Sequence, residues 1–321
     1  MTSLHDFLRA ALGDAPEREP TPGEFLRYGG RNKPLWVKVF TDGRTAVAGD
    51  WRTGAHHTWT ESGRQMDPAE RAAARAWAEQ QRQQREREQR AAWAKNAAAV
   101  ALQWSRARPL VPGDPVTIYL KNRLGVALWP LPAALRHVPA LPYFDEAGKE
   151  VGRFPAMVAA ISGAAGELLA LHRTYLTRDG QKADVPGPVK KLSRTCGPLA
   201  GAGIALWSAP DDRGVIGVAE GLETALACHY GGRMPVCAAY SAGALAAWQW
   251  PAGTRHLVVW SDHDEAGTEA AAKLRSRAQR AGLTVKTMTP AQAGTDWCDV
   301  VHQRNTAAKT GPAEHDKECS R

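Results

Sequence analysis

The feature that most constrains the fold of this 321-residue chain is a regular alternation of strand and helix patterns in its last third. Short runs rich in Val, Ile and Leu are separated by Ala-rich segments with helical spacing. Strands that alternate with helices in this way form a parallel sheet covered by helices on both faces. The pattern predicts strands at residues 215–219, 236–239, 256–260 and 283–288, and helices at residues 223–230, 244–248 and 266–281.

Acidic side chains follow three of these predicted strands. Glu220 comes directly after the first strand, Asp262 and Asp264 follow the third, and Asp296 and Asp299 follow the fourth. Because the carboxyl ends of parallel strands meet at one edge of a sheet, we expect these carboxylates to converge. Two unit charges about 4 Å apart repel by about 4 kcal/mol at an effective dielectric constant of about 20, so the cluster needs a cation or bound protons. Oxygen ligands suit Mg²⁺ or Mn²⁺, which indicates metal-dependent phosphoryl transfer.

The rest of the chain divides by composition into units of different character. A Pro-initiated segment rich in Ala, Gln, Arg and Glu predicts a long helix that starts at Asp67-Pro68 and connects two folded parts. A short helix at residues 115–123 and strands at residues 157–161 and 168–176 indicate a mixed α/β unit after it. We predict a β-rich N-terminal module at residues 1–66, a helical linker at 67–108, a mixed α/β middle domain at 109–205, the parallel α/β domain at 206–303 and a flexible tail at 304–321.

The N-terminal module contains a hairpin signal and several tryptophans. Alternating apolar residues flank the turn Asp42-Gly43, a pairing typical of a β-hairpin. Trp51, Trp59 and the neighbouring Arg52 could stack on bases and pair with phosphates. The alternative is that the tryptophans form the core of a small domain.

The charge of the chain is unevenly distributed. The chain has 41 Lys and Arg against 33 Asp and Glu, a net charge of +8 with a pI near 9.4. Residues 1–205 contain 29 basic and 20 acidic side chains, whereas residues 206–303 contain 8 basic and 10 acidic ones. A basic surface suits a polyanionic partner. We therefore expect the first two thirds to hold nucleic acid and the acidic last third to carry the chemistry.

Composition also argues against three classes of protein. No apolar run reaches the roughly 18 uncharged residues of a membrane span. The first residues carry acids and lack the apolar stretch of a secretory signal. The five cysteines are scattered, as is typical of reduced thiols in a cytoplasm rather than of a disulfide scaffold. We expect a cytoplasmic protein.

The acidic motifs resemble a known domain. A Glu-Gly pair after a buried strand, about forty residues before Asp-x-Asp-x-x-Gly, resembles the Toprim domain of bacterial-type primases, topoisomerases and related nucleases. Further segments are similar to Toprim primase-like proteins of plasmids and phages: Tyr-Leu-Lys-Asn-Arg at 119–123, His-Arg-Thr-Tyr-Leu at 172–176, Asp-Gly-Gln-Lys at 179–182, Asp-Trp-Cys-Asp-Val at 296–300 and, more loosely, Gly-Asp-Trp-Arg-Thr-Gly at 49–54.

The resemblance implies roles for the five acids. Glu220 would handle a proton transfer or the metal, and Asp262 and Asp264 would be metal ligands. Asp296 and Asp299 would be further acids on the metal side. The implied catalytic set is Glu220, Asp262 and Asp264.

Four basic residues of the middle domain are candidates for binding nucleoside triphosphate or template. They are Arg173, Arg178, Lys190 and Lys191, and a solvated surface is the alternative for each. Glu223 has no role that the sequence assigns beyond starting a helix, where its charge suits the helix dipole.

The function that these features predict is priming of DNA synthesis. The protein would be a DNA primase-like nucleotidyltransferase that makes short RNA primers from ribonucleoside triphosphates on single-stranded DNA in plasmid or phage-type replication. No Cys-x-x-Cys pair occurs, so we expect Mg²⁺ or Mn²⁺ but no zinc. No P-loop motif occurs either, so a replicative helicase would be a separate protein. The alternatives are a Toprim-type DNA nuclease and a non-catalytic DNA-binding replication accessory protein.

Overall fold

The computed structural model describes residues 3–30, 33–61 and 68–310, and the chain divides into two compact units, Met1–Glu88 and Gln89–Arg321. The helices are α1 (Leu4–Leu12), α2 (Pro68–Arg106), α3 (Pro115–Leu124), α4 (Leu222–Gly232), α5 (Ala242–Ala247), α6 (Glu265–Arg280) and α7 (Trp297–Thr310). The strands are β1 (Phe25–Tyr28), β2 (Leu35–Val39), β3 (Thr45–Asp50), β4 (His56–Thr60), β5 (Arg108–Pro109), β6 (Leu135–Phe144), β7 (Glu150–Ser162), β8 (Leu168–Tyr175), β9 (Lys190–Leu192), β10 (Val215–Ala219), β11 (Val236–Ala238), β12 (His256–Trp260) and β13 (Thr284–Met288).

The N-terminal unit contains a four-stranded antiparallel sheet in the order β1-β2-β3-β4. The predicted hairpin joins β2 to β3, and the Asp42 carboxylate accepts hydrogen bonds from the backbone N–H groups of Arg44 and Thr45. Gly43 adopts φ 66°, in the left-handed region that glycine enters without steric cost. The β-rich character predicted for this region is confirmed, whereas helix α1, which packs its Leu8 into the same core, was not predicted.

The tryptophans of the N-terminal unit pack on one another. Trp36 is buried, and Trp51 stacks on it with ring centroids 4.8 Å apart. The Arg85 guanidinium lies 3.0 Å from the centre of the Trp51 ring. These contacts occupy the faces of Trp51 within the unit, as the core-forming alternative predicts.

The long helix α2 runs without an internal glycine or proline after Pro68. Its described side chains are mostly exposed, in agreement with the sparse apolar stripe of the sequence. Asp67, the predicted cap, and the predicted module boundary at residue 66 lie outside the described residues.

In the C-terminal unit, a five-stranded antiparallel sheet has the order β5-β6-β7-β8-β9. Helix α3 precedes its long strands and has clear end signals. The Asp114 side chain accepts a hydrogen bond from the Thr117 N–H at 2.8 Å, and Pro115 occupies the first turn. Gly125, at φ 70°, ends the helix.

The predicted parallel sheet is present, in the order β11-β10-β12-β13 with all neighbours parallel. Strands β10 and β12 have the predicted bounds. A short apolar run with polar residues at its end indicates where a buried strand stops. One expectation is corrected. Helix α7 continues to Thr310, beyond the predicted start of the tail at residue 304, because Cys298 and Val301 anchor it in the core. Residues 311–321 lie outside the described residues.

A continuous apolar core joins helix α3 to the parallel domain. Leu120 and Leu124 of α3 belong to the same buried cluster as Leu222 and Leu226 of α4 and Cys298 of α7. Helix α3 is therefore held directly against the helices that follow the acidic motifs. Over the described residues, no helix has the length and apolar character required to cross a bilayer.

Candidate active site

The acidic edge of the parallel sheet lies where strands β10 and β12 end side by side. Ala219 pairs with Trp260 at the last register position, so Glu220 and Asp262 follow on neighbouring strands. Burial, then the nearby Glu220 and the other acids, raise the pKa of Asp262 to about 6. Burial and Asp264 also raise the pKa of Glu220. The Asp262 Oδ1 atom is buried and has no hydrogen-bond partner, so this edge carries negative charge that the protein leaves uncompensated.

Asp264 has a local role in the same motif. Its Oδ1 accepts a hydrogen bond from the Gly267 N–H at 2.7 Å and thereby caps helix α6. A Cβ on Gly267 would lie 3.0 Å from the Asp262 carbonyl oxygen and 3.1 Å from the capping Oδ1. The glycine of Asp-x-Asp-x-x-Gly thus lets the helix start tightly beneath the acidic loop.

Asp296 and Asp299 are both ion-paired to Arg123 of helix α3. The guanidinium donates to Asp296 Oδ2 at 2.7 Å and to Asp299 Oδ1 at 2.6 Å. The remaining oxygens accept from backbone: Asp296 Oδ1 from the Asp299 N–H at 2.7 Å, and Asp299 Oδ2 from the Asp296 N–H at 3.4 Å. This reciprocal pattern is a capping box at the start of α7. The structure therefore directs these two acids, predicted on the metal side, toward Arg123 and the helix start.

A second buried contact ties helix α3 to the acidic edge. Glu223, one helical turn beyond Glu220, is 5% exposed. It accepts hydrogen bonds from Tyr119 Oη at 2.8 Å and from Lys190 Nζ at 2.7 Å. Burial alone would raise the pKa of Glu223, but the Lys190 ammonium and the Tyr119 hydroxyl lower it to about 2. Glu223 is thus ionised and holds the Lys190 side chain at the acidic edge.

The spacing Tyr-x-x-x-Arg was the sequence signal for these contacts. Tyr119 and Arg123 are four residues apart, so they lie on one face of helix α3. One residue reaches Glu223 and the other reaches Asp296 and Asp299. The sequence alone assigns a role to neither residue, because the partners of Tyr119 and Arg123 are more than 100 residues away along the chain.

Most of these groups line a cleft of about 290 Å³, whereas Asp264 and Asp299 are not among its lining residues. Four acids, Glu220, Glu223, Asp262 and Asp296, and two lysines, Lys182 and Lys190, are among the residues that line it. His172 of β8 forms part of the wall; its Nδ1 is buried without a hydrogen-bond partner, and burial lowers the pKa of His172 to about 4. The imidazole is therefore neutral at physiological pH. The lining side chains are Tyr119, Arg123, His172, Lys182, Lys190, Ile204, Glu220, Leu222, Glu223, Thr224, Tyr240, Asp262 and Asp296.

Of the four basic candidates, Lys190 lies in this cleft and the other three lie elsewhere. Successive residues of a strand point to opposite faces, so Lys191 of β9 points away from Lys190. Lys191 donates to the Phe144 carbonyl oxygen and lies 3.9 Å from the Tyr143 ring centre. Arg173 donates to the Leu192 carbonyl oxygen, while Arg178 is exposed in a turn.

Comparison with known protein families identifies the domain that contains the parallel sheet. Residues 215–307 match the Toprim domain family. The chain contains a Toprim domain. Residues 94–206, which contain α3 and β6–β9, match a domain of unknown function, DUF7146. No curated protein matches the sequence significantly.

Several solved structures are similar at low identity. A DNA primase domain from Pseudomonas aeruginosa is 17% identical, with 51% of this chain and 52% of that chain covered and a TM-score of 0.36. The RNA polymerase domain of Mycobacterium tuberculosis primase DnaG is 19% identical, with 67% and 80% covered and a TM-score of 0.40. The primase fragment of the bacteriophage T7 primase-helicase protein is 17% identical, with 49% and 62% covered and a TM-score of 0.33. The match thus spans about half the length of the first of these chains.

The Toprim acids fit a divalent cation by their chemistry. Among residues 3–30, 33–61 and 68–310, no three His, Cys, Asp or Glu side chains form a ready-made metal-binding group. Glu220 and Asp262 nevertheless provide oxygen donors, raised pKa values and one buried oxygen without a partner. Hard divalent cations such as Mg²⁺ retain several waters and need only one or two carboxylates. The donor set therefore suits Mg²⁺ or Mn²⁺.

Proposed function

We propose that this Toprim protein is a DNA primase-like nucleotidyltransferase that synthesises short RNA primers on single-stranded DNA. One observation carries the proposal: the carboxylates Glu220 and Asp262 and the lysines Lys182 and Lys190 line a single cleft, in which Asp262 Oδ1 has no hydrogen-bond partner. Joining a nucleoside triphosphate to a hydroxyl group requires a divalent cation beside a site for a polyphosphate. The acids of the cleft supply ligands for the cation, and its lysines supply positive charge for the polyphosphate.

Glu220, Asp262 and Asp264 would hold Mg²⁺ or Mn²⁺ in the loaded enzyme. A bound divalent cation would polarise the phosphoryl oxygens and favour ionisation of the attacking hydroxyl group. Asp296 and Asp299 add negative charge near the site while Arg123 holds them at the start of helix α7.

The side chains of the protein itself would position the reactants. Glu220, whose pKa is raised, is a candidate to accept the proton of the attacking hydroxyl group. Glu223 fixes Lys190 so that its ammonium group faces the triphosphate. We assign Arg178 to the template strand because it is exposed, and Arg173 and Lys191 to the outer basic surface of the middle domain.

The decisive experiment measures incorporation of labelled ribonucleotides on single-stranded DNA with Mg²⁺ or Mn²⁺. We expect short RNA products from the wild type and none from Asp262→Asn/Asp264→Asn. Glu265→Gln is a matched control, because it removes one exposed charge at the first residue of helix α6, next to Asp264, and leaves the proposed ligands in place. Product from the double variant, or none from the wild type on any template, would refute the proposal.

The same reactions separate the two alternatives. A Toprim nuclease would cut single- or double-stranded DNA with Mg²⁺ alone, in the absence of nucleotides. A non-catalytic accessory protein would bind DNA with no metal-dependent product. The uncompensated charge at Asp262 favours catalysis, since a site that never binds metal gains nothing from buried, unpartnered carboxylate oxygen.

The biological setting that we propose is plasmid or phage-type DNA replication in the cytoplasm. Ribonucleoside triphosphates and a single-stranded template would be the substrates, and a separate replicative helicase would open the duplex. A gene for such a helicase next to this one would support the proposal.

A further inference from the structure

A second cleft, of about 890 Å³, lies in the C-terminal unit away from the acidic edge. It is bordered by the loop after helix α3, which contains Trp129, by the final turns of helix α4 and by the middle of helix α7. Its volume is within the range of about 300–1,000 Å³ that is usual for sites of small-molecule size. None of the residues assigned to the proposed catalytic site lines it.

The aromatic side chains around this cleft are exposed to an unusual degree. Among the described residues, three aromatic side chains are large exposed hydrophobic groups: Trp129 at 57%, Phe144 at 45% and Tyr230 at 42%. Two of these three, Trp129 and Tyr230, flank the cleft. A folded protein gains free energy by burying such rings, so two exposed rings that line one cleft indicate a surface that binds a partner.

A third aromatic surface, formed by Trp207 and His229, lines the same cleft in a fixed orientation. The rings of Trp207 and His229 are stacked, with centroids 3.6 Å apart and planes at 19°. His229 Nδ1 donates to the Met234 carbonyl oxygen at 2.7 Å, which holds the imidazole in place. The cleft therefore presents flat rings to its occupant.

The charged residues of the cleft identify the chemistry of that occupant. Arg233 and Arg304 line it, and no Asp or Glu is among its lining residues. Exposed rings interleaved with cations are the elements of single-strand recognition, in which bases stack on aromatic side chains and phosphates pair with basic ones. A hydrophobic protein segment would use the rings but would leave both guanidinium groups without partners.

We propose that this cleft, bordered by Trp129, Tyr230, Arg233 and Arg304, is a binding site for single-stranded nucleic acid separate from the catalytic cleft. Trp129 and Tyr230 stack on bases, and the two arginines pair with backbone phosphates. The proposal shares with the proposed function only the expectation that the protein handles single-stranded DNA. It does not depend on catalysis.

The fold places this site at a fixed distance from the acidic edge. Helix α4 begins beside Glu220 and ends at the aromatic cleft, and its 11 residues span about 16 Å at 1.5 Å per residue. Helix α7 likewise starts after Asp296 and carries Arg304 about two turns further on. The two clefts thus lie at opposite ends of helix α4, while helix α7 starts at one and reaches the other at its middle, so one strand that reaches both would be held at two points.

Fluorescence anisotropy with a labelled oligothymidylate, in EDTA and without nucleotides, tests the site directly. Stacking of one base on a ring contributes about 1–3 kcal/mol, so Trp129→Ala or Tyr230→Ala should weaken binding by about 5- to 150-fold. Trp129→Phe should retain most of the affinity. Phe144→Ala is the matched control, since its ring is as exposed but lies outside the cleft.

The arginines are tested by the salt dependence of the same binding. Each single-strand phosphate contact contributes about 0.7 to the slope of log K against log salt concentration, so Arg233→Ala/Arg304→Ala should reduce that slope by about 1.4. Arg275→Ala, an exposed arginine on helix α6, should change the slope much less. An oligomer of abasic sites should bind the wild type and Trp129→Ala equally.

Unchanged affinity in both ring variants, or an unchanged salt slope in the arginine double variant, would overturn the proposal and leave a protein segment as the occupant. Failure of the proposed function is a different result. If the wild type makes no primers but Trp129→Ala still loses oligothymidylate binding, the second site stands and the primase assignment falls.

Discussion

Substitution of Glu223 by Gln tests how the middle domain is joined to the acidic edge. Glu223 is buried and accepts from both Lys190 Nζ and Tyr119 Oη, at 2.7 and 2.8 Å. Glutamine keeps the shape of the side chain and can still accept from the hydroxyl group. It removes the negative charge opposite the Lys190 ammonium group, and the amide NH₂ of the glutamine would then lie against that ammonium group, so that two donors face each other.

The expected loss of stability follows from the pKa of Glu223. A fall from an ordinary pKa of 4.5 to about 2 in the folded protein corresponds to about 3 kcal/mol, at about 1.4 kcal/mol per pKa unit. The side chain of Lys190 is 41% exposed, so solvent screens the pair, and we expect a loss of about 2–3 kcal/mol at pH 7.

The lowered pKa of Glu223 determines the direction in which the stability difference between wild type and Glu223→Gln changes with pH. Because the folded pKa lies below the unfolded one, the carboxylate stabilises the fold above about pH 4.5, and this stabilisation is lost as the pH falls toward 2. By pH 3.5 about three fifths of the neutral-pH difference between wild type and Glu223→Gln should remain.

Urea denaturation of both proteins at pH 7, 5 and 3.5 measures this difference. Glu269→Gln is the matched control, because it breaks a Glu–Lys contact of the same 2.7 Å length that is exposed on helix α6. That control should leave stability almost unchanged. A loss below about 1 kcal/mol for Glu223→Gln at pH 7, or a loss equal at pH 7 and 3.5, would refute the reasoning.

Three further predictions concern helix α3 and the acidic cleft that contains Glu220 and Asp262. Arg123→Ala should lower the free energy of unfolding by about 1–3 kcal/mol in urea, and Arg123→Lys should recover only part of it, because an ammonium group cannot pair with two carboxylates in a fork; full recovery would contradict this. The pKa of Asp262, about 6, predicts that calorimetric Mn²⁺ affinity weakens by up to about tenfold per pH unit below pH 6, and a flat profile from pH 7 to 5 would contradict it. Gly180→Ala places a Cβ 2.7 Å from the Tyr119 backbone N. It should lower the free energy of unfolding by about 1–3 kcal/mol more than the control Gly148→Ala, a position with a similar φ but open space. Equal losses of stability in the two variants would contradict this.

Local patterns were enough to predict the parallel sheet. Strands β10 and β12 were predicted with their observed bounds, and Glu220 and Asp262 follow them as expected. A buried strand needs a short apolar run, and the rule that parallel strands end at one edge then brings the acids together. Helix α7 was not predicted, and the tail predicted from residue 304 begins inside it, since Val301 and its neighbours have no local signal that separates a packed helix from a tail.

The pairing of charges could not be predicted from local patterns. Arg123 meets Asp296 and Asp299 across more than 170 residues, and Glu223 meets Tyr119 across 104. These contacts exist because helix α3 packs against helices α4 and α7, and that packing depends on the whole apolar core. The sequence could show that the acids and bases were present, but not which of them neutralise each other.

The amino-acid sequence by itself determined the Toprim sheet, its acidic edge and the basic character of the preceding region, because these depend on short-range periodicity and on counting charges. Tertiary structure alone decided which charges remain available. It paired Asp296 and Asp299 with Arg123, turned Lys191 away from Lys190, and left Asp262 Oδ1 without a hydrogen-bond partner. The physical reason is that the effect of a charge depends on the groups within a few ångströms of it, and in a folded chain those groups come from distant parts of the sequence.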